Sequence, residues 1–381
     1  MDYYSRKIMD QVSQSFFKGK AVIIYGARQV GKTTLIRMIL KNTAEKDILF
    51  LNCDLPDVRD ILEKKDLQHF KGLVGDKKVV FIDEAQRVSD IGLTLKILIE
   101  NFPNSQIIAT GSSSFDLANK INEPLTGRKF SFQLYSLSLN EIFSDANVLE
   151  IRRKLPELLI YGSYPEVVSN SSLDEKRKLI TEIAGDSLYK DIMEFQSIKS
   201  PGILRDLLKA LALQVGSEVS YTELAQLLNI DKKTVESYVN ILEKSFIIFR
   251  LPPMNRNLRN ELKKLRKIYF FDLGVRNAVI NNFNPLDSRS DIGQLWENYA
   301  IVEMIKQRHY QGISANYYFW KTYHGAEVDF IEEFAGKLSG YEIKWNAKKN
   351  VKAPRSWLES YPNASWQKID PDRMDVFFQK L

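Results

Sequence analysis

The sequence predicts an α/β fold, with a parallel sheet covered by helices on both faces in the first third of the chain. Three observations predict it. Short apolar segments alternate with helical ones over residues 20–115, the pattern of a buried parallel sheet. The glycine-rich string GARQVGKT, residues 26–33, follows an apolar segment and opens a helix. About fifty residues later VVFIDEAQ, residues 79–86, reads as a buried strand ending in two carboxylates.

In order, the expected elements are a strand over 21–25, a helix over 33–41, a strand over 48–53 and a largely helical stretch over 57–73. A strand over 79–82, a helix over 91–101 and a strand over 106–110 follow. In such sheets ligands sit at the carboxyl ends of the strands.

The first string fits G-x-x-x-x-G-K-[ST] in the strand-to-helix context that gives the pattern its meaning. Gly26 and Gly31 let the backbone turn tightly, so that successive N–H groups point at phosphates. The helix behind them adds its positive dipole end. Gly26, Ala27, Arg28, Gln29, Val30, Gly31, Lys32, Thr33 and Thr34 form the expected nucleotide-binding loop. Lys32 supplies a point charge for the β/γ-phosphates, and the Thr33 hydroxyl is a Mg²⁺ ligand. Asp83 is expected to hold Mg²⁺, and Glu84 to orient or deprotonate the attacking water. The guanine-reading motif N-K-x-D is absent, which favours ATP. The adenine pocket is expected to draw on the segment from Arg6 to Phe17. In ATGSSS, residues 109–114, Thr110 and Ser112 are candidates to sense the γ-phosphate or the water, and a plain strand-to-loop turn fits the pattern equally. Arg128, in LTGRKF at 125–130, is a candidate phosphate-region arginine or a surface residue.

With 381 residues, 44% hydrophobic and 27% charged, the chain is expected to be a folded protein of two or three domains. No apolar run is long enough to span a bilayer, and the first residues lack a secretory pattern. One cysteine, Cys53, and three histidines argue against a disulfide framework or structural zinc and suit a cytoplasmic protein. The net charge of +6 is matched by the window Asp231–Arg276 alone. Its eleven basic residues are Lys232, Lys233, Lys244, Arg250, Arg256, Arg259, Lys263, Lys264, Arg266, Lys267 and Arg276, against five acidic ones. Such a patch suits nucleic acid or a solvated surface.

Ser138-x-x-Glu141 reads as a capping box opening a mixed helical region, in which Gly162 and Pro165 of YGSYPEVV mark a fixed turn. Residues 203–252 read as a winged helix-turn-helix. Its helices are expected over 203–215, 221–228 and 232–244, with a strand over 246–251. The third helix would be the recognition helix, with Lys232, Lys233 and Ser237 toward solvent. Contact with DNA and packing against protein are both open to such a module.

Near the C-terminus an amphipathic helix over 295–308 carries Glu297. A strand over 316–321 and a hairpin of 326–331 with 340–345 follow. Glu342 and Lys344 share one face of GYEIKW, and hairpin pairing would set Asp329 beside Glu342. Two carboxylates and a lysine there can bind a divalent metal, with the lysine positioning a water and Glu297 completing the site.

Together GARQVGKTTL, FIDEAQ, ATGSSS, LTGR, YGSYPE, KIYFFDLGVRNA, WENYAIVEM, GAEVDF and YEIKW resemble segments of a group of prokaryotic AAA+-type ATPases, over nearly the whole chain. The resemblance implies a P-loop core over 1–135, a helical lid or linker over 136–200, a winged helix over 201–275 and a region similar to the PD-(D/E)XK nuclease fold over 276–381. It places that fold's metal carboxylates on Asp329 and Glu342, its lysine on Lys344 and its helix glutamate on Glu297. Val328 stands where the wider nuclease pattern has proline. It also raises Arg128 to a phosphate-region arginine, acting in its own chain or on a neighbouring subunit of a homo-oligomer. The function expected is a Mg²⁺-dependent ATPase acting with DNA, coupled to a nuclease site. The alternative is an ATP-controlled switch that holds a protein partner and carries an inert nuclease-like region. A P-loop phosphotransferase is disfavoured, because Glu84 beside Asp83 suits water activation.

Overall fold

The computed structural model describes residues 4–112, 125–143, 148–187, 200–254, 266–322 and 324–373. They gather into two compact units, one built chiefly from Met1–Ser136 and the other from Leu137–Asp186, Ile198–Glu243 and Ile247–Leu381.

The first unit is the expected α/β layer structure. Its strands are β1 (Ala21–Tyr25), β2 (Ile48–Asn52), β3 (Val79–Asp83), β4 (Gln106–Gly111) and β5 (Lys129–Gln133), all paired in parallel in the order β2-β3-β4-β1-β5. All of β3 and β4 is buried, as apolar runs with helices on both faces require. The chain leaves β1 for the far edge of the sheet and returns through β3 to β4. The order reverses beside β1, where ligand crevices form. The helical stretch after β2 divides into Pro56–Glu63 and Leu67–Val74; Asp66 caps the second by accepting from the Gln68 N–H. β5 is not among the strands expected from the sequence. Its edge position leaves KFSFQ only half buried, without the continuous apolar signal of β3.

In the second unit the capping box is formed at Ser138 and Glu141. Helices Val148–Tyr161, Pro165–Ser169, Leu173–Glu182, Pro201–Leu213, Tyr221–Leu228 and Lys232–Lys244 follow. An antiparallel sheet contains β6 (Glu218–Val219), β7 (Ile248–Leu251) and β8 (Arg266–Phe270), in the order β6-β8-β7. Helices Leu273–Val279 and Ile292–Tyr310 lead to a four-stranded sheet. Its strands are β9 (Asn316–Lys321), β10 (Glu327–Phe334), β11 (Lys337–Ile343) and β12 (Ser365–Ile369), ordered β12-β11-β10-β9, with β11 and β12 parallel.

Several segments of this unit are tied by one buried polar network. The Asp272 carboxylate accepts from the Ser163 N–H and hydroxyl and from the Gly274 and Val275 N–H groups. Gly162, at φ +79°, leaves no room for a side chain: a Cβ there would lie 1.9 Å from Asp272 Oδ1. The Asn277 amide donates to the Leu159 and Ile160 carbonyls, and Arg276 and Arg289 converge on Asp291.

Ion pairs within this unit narrow the basic-patch reading. Lys267 and Arg276 are buried and ion-paired, and Arg250 is paired with Glu243. Burial without partners would leave such charges uncompensated, so these three serve the fold and not a surface. Lys232, Lys233 and Lys244 are exposed. Arg256, Arg259, Lys263 and Lys264 lie outside the described residues.

Candidate functional site

β1 delivers the chain to the loop Gly26–Gly31. A Cβ on Gly26 would stand 2.0 Å from the Leu134 carbonyl oxygen, so only glycine permits this approach. Gln29 and Gly31 take φ values of 61° and 95°, turning the backbone into the concave form that gathers N–H groups around an anion. Gly31 then caps the helix Lys32–Ile39. The Lys32 ammonium is buried over the loop, donating to the Gly26 and Ala27 carbonyls at 2.9 and 3.0 Å. Arg6, placed by the sequence in the adenine region, supports this loop: its buried guanidinium donates to Val30 O at 2.8 Å and Tyr135 O at 2.7 Å.

Asp83, at the end of β3, is the hub beside the loop and is only 7% exposed. Its Oδ2 accepts from the Thr33 hydroxyl at 2.8 Å. Its Oδ1 accepts from the Thr110 hydroxyl and from the Glu84 N–H. Thr110, read as a sensor of phosphate or water, thus supports Asp83 from the neighbouring strand. Glu84 turns out of β3 in the left-handed region, φ 52° and ψ 40°, an uncommon conformation for a glutamate. Its Oε2 accepts from Gln86 Nε2 at 2.5 Å, and Gln86 Oε1 accepts from the Ser112 N–H at 3.2 Å. The sequence reading did not single out Gln86, although its place in FIDEAQ was visible. Cys53 also donates its N–H to the Asp83 carbonyl, at 3.0 Å, and burial pushes its thiol up to about 12, which keeps it protonated and unreactive.

Arg128 is not brought to this loop within its own chain. It precedes β5, and its carbonyl accepts from the Ala21 N–H at the start of β1. The loop lies at the other end of β1, about 16 Å away for five residues at roughly 3.3 Å each. The Arg128 guanidinium instead pairs with Glu100 at 3.2 Å, both side chains being nearly half exposed.

In the second unit Asp329, Glu342 and Lys344 do converge. β10 and β11 pair antiparallel with Phe330 opposite Tyr341, so the next step in that register sets Asp329 against Glu342. The Lys344 ammonium lies 2.9 Å from Asp329 Oδ2 and 2.8 Å from Glu342 Oε1. Asp329 Oδ2 also accepts from the Ile343 N–H. Glu342 Oε2 is buried with no hydrogen-bond partner. Glu297 joins from the long helix: the Tyr269 hydroxyl donates to its Oε1 at 2.6 Å, and Lys267 stands 3.5 Å from that oxygen and 2.6 Å from Glu327. Burial pushes the Glu297 carboxyl up to about 7; Lys267 opposes that rise and Asp329 adds to it. No group of three His, Cys, Asp or Glu side chains among the described residues is arranged to hold a metal ion. The expected ligand set of Glu297, Asp329 and Glu342 is therefore tied into ion pairs and hydrogen bonds, because Lys267 and Lys344 stand among its carboxylates.

A family model described as "AAA domain" matches residues 18–143. Two models described as "Domain of unknown function", DUF8612 and DUF4143, match 152–286 and 292–371. The span 18–143, which contains the loop Gly26–Thr33 and Asp83, is thus similar to an AAA domain. An uncharacterized protein of Mycobacterium tuberculosis is 24% identical over 338 residues, covering 88% of this chain and 72% of its own. One of Haemophilus influenzae is 24% identical over 352 residues, covering 86% and 83%, and one of Methanocaldococcus jannaschii, MJ1544, 24% over 330, covering 82% and 72%. The solved structure of AMPPCP-bound DnaA from Aquifex aeolicus aligns at 14% identity over 62% of this chain and 86% of that one. Its TM-score of 0.29 is too low for the likeness to carry weight. No helix among the described residues is long and apolar enough to cross a membrane.

Proposed function

We propose that the chain is a Mg²⁺-dependent ATPase acting with DNA. The observation that carries this is the meeting of Thr33 and Asp83 beside the loop, with Glu84 next in sequence. A hydroxyl and a carboxylate oxygen 2.8 Å apart are the donors a hard cation takes, so Thr33 and Asp83 fit Mg²⁺. When bound, the ion would draw charge from the phosphate oxygens. The loop N–H groups orient the triphosphate and Lys32 neutralises its β/γ oxygens. Glu84 orients a water and takes its proton. The test is phosphate release from ATP by the wild type and by Lys32→Ala. Release requiring both Mg²⁺ and Lys32 supports the reading, and equal rates contradict it.

We read the chain as four regions: the P-loop core, a helical lid, a winged helix and a nuclease-like C-terminal part. The winged-helix reading is supported by the helices Pro201–Leu213, Tyr221–Leu228 and Lys232–Lys244 leading to the hairpin of β7 with β8. In the third helix Val235, Tyr238, Val239, Ile241 and Leu242 are buried, while Lys232 and Lys233 are exposed at its start. DNA affinity should fall with salt by about one power per phosphate contacted; no binding at low salt would favour the ATP-controlled protein switch.

A nuclease role for the second cluster is supported by the convergence of Asp329, Glu342 and Lys344 and by Glu342 Oε2, a buried acceptor without a partner. Metal-dependent cleavage of plasmid that Glu342→Ala abolishes supports this role. Equal cleavage, or none with Mg²⁺ or Mn²⁺, leaves that region an inert platform.

A further inference from the structure

We infer that Gln86 is the positioning residue for the Glu84 carboxylate and ties it to the end of β4. The inference rests on the ATPase reading above and deepens it.

The amide has one orientation available. The Ser112 backbone N–H can only donate, so the oxygen of the Gln86 amide must face it, as Oε1 does at 3.2 Å. That leaves Nε2 turned toward Glu84, whose Oε2 accepts at 2.5 Å. A carboxylate only accepts, so both ends of the amide are satisfied without conflict. One oxygen of Glu84 is thereby taken and its direction set. The other, Oε1, is left to receive a proton from water.

Glu84 needs such support. Its backbone sits in the left-handed region, a conformation held only where its surroundings over-determine it. Its own N–H is occupied by Asp83 Oδ1 at 3.2 Å, and Asp83 Oδ1 in turn accepts from Thr110. The end of β4 and the residue after it therefore address both carboxylates, Thr110 reaching Asp83 directly and Ser112 reaching Glu84 through Gln86. A purely structural Gln86 would brace the turn after β3 without bearing on the proton transfer. The two roles separate by measurement.

The test uses the full chain with ATP and Mg²⁺, comparing wild type, Gln86→Ala, the isosteric Gln86→Glu, and each change again in a Glu84→Gln background. Gln86→Ala should lower kcat about tenfold to a hundredfold, the scale of a misplaced reacting group. Nucleotide Kd should change by less than about twofold. Gln86→Glu replaces the amide donor by an acceptor of the same size, so its kcat should fall at least as far as that of Gln86→Ala. In the Glu84→Gln background neither change should lower the rate further, because the group being positioned is gone. An unchanged or raised kcat in Gln86→Ala, an unchanged kcat in Gln86→Glu, or losses that multiply with Glu84→Gln would each overturn the inference while leaving the ATPase reading standing. A wild type that releases no phosphate overturns both.

Discussion

The Thr33 hydroxyl donates to Asp83 Oδ2 at 2.8 Å, joining the first residues of the helix behind the loop to the end of β3. If these two oxygens receive Mg²⁺, Thr33→Val removes one donor while keeping the shape. The Mg²⁺ concentration for half-maximal hydrolysis should then rise about tenfold or more, the usual scale for a disturbed metal site. A Mg²⁺ titration at saturating ATP reads it, and an unchanged midpoint would remove Thr33 from the cation site.

Gly162→Ala tests the buried network of the second unit. The new Cβ would meet Asp272 Oδ1 at 1.9 Å and the Gly274 nitrogen at 2.8 Å, at φ +79°. Strain and a displaced carboxylate together should cost about 2 kcal/mol or more. The urea midpoint of the second unit's unfolding should fall accordingly, with hydrolysis at low denaturant retained.

Asp291 gives a pH signature. Burial raises its carboxyl pKa, but the Arg289 and Arg276 guanidiniums outweigh that and hold it at about 2. A depressed carboxylate contributes stability that is complete above its unfolded pKa of about 3.9 and lost as pH falls toward 2. Between pH 4 and 2 the wild type should lose more stability than Asp291→Asn. At neutral pH the variant should be the weaker by roughly 3 kcal/mol, since two buried guanidiniums lose their counter-ion. Parallel stability curves for the two proteins would contradict the assignment.

Arg128 pairs with Glu100 at the far end of β1 from the loop. In dilute solution Arg128→Ala should therefore change hydrolysis per chain by less than about twofold. A specific activity that rises with protein concentration in the wild type, and not in the variant, would assign Arg128 to a neighbouring subunit.

What the sequence made legible followed from its strongest local signals. Helices 91–101, 221–228 and 232–244 and the strand 316–321 match their sequence-predicted bounds, because apolar periodicity marks them, with Ser220 and Asp231 capping the second and third helices. The glycine-rich spacing and the buried run before Asp83 made the turn after β1 and the place of Asp83 at the end of β3 readable as well. β5 was not, since an edge strand lacks the buried run that marks β3. Pairing across a sheet is also invisible locally. Nothing in the sequence shows that Thr110 turns to Asp83, or that Lys267, counted as surface charge, is buried between Glu297 and Glu327. The segments quoted for the resemblance owe part of their character to burial, as Gly162, Asp272 and Asn277 show.

The most direct test of the central claim is phosphate release from ATP and Mg²⁺ by the full chain, wild type against Glu84→Gln, with nucleotide binding measured on the same samples. The account predicts that both proteins bind ATP with affinities within about threefold, and that the variant hydrolyses it on the order of a hundredfold more slowly, as loss of a positioned base does. Equal rates, or a wild type that binds ATP and never splits it, would contradict it.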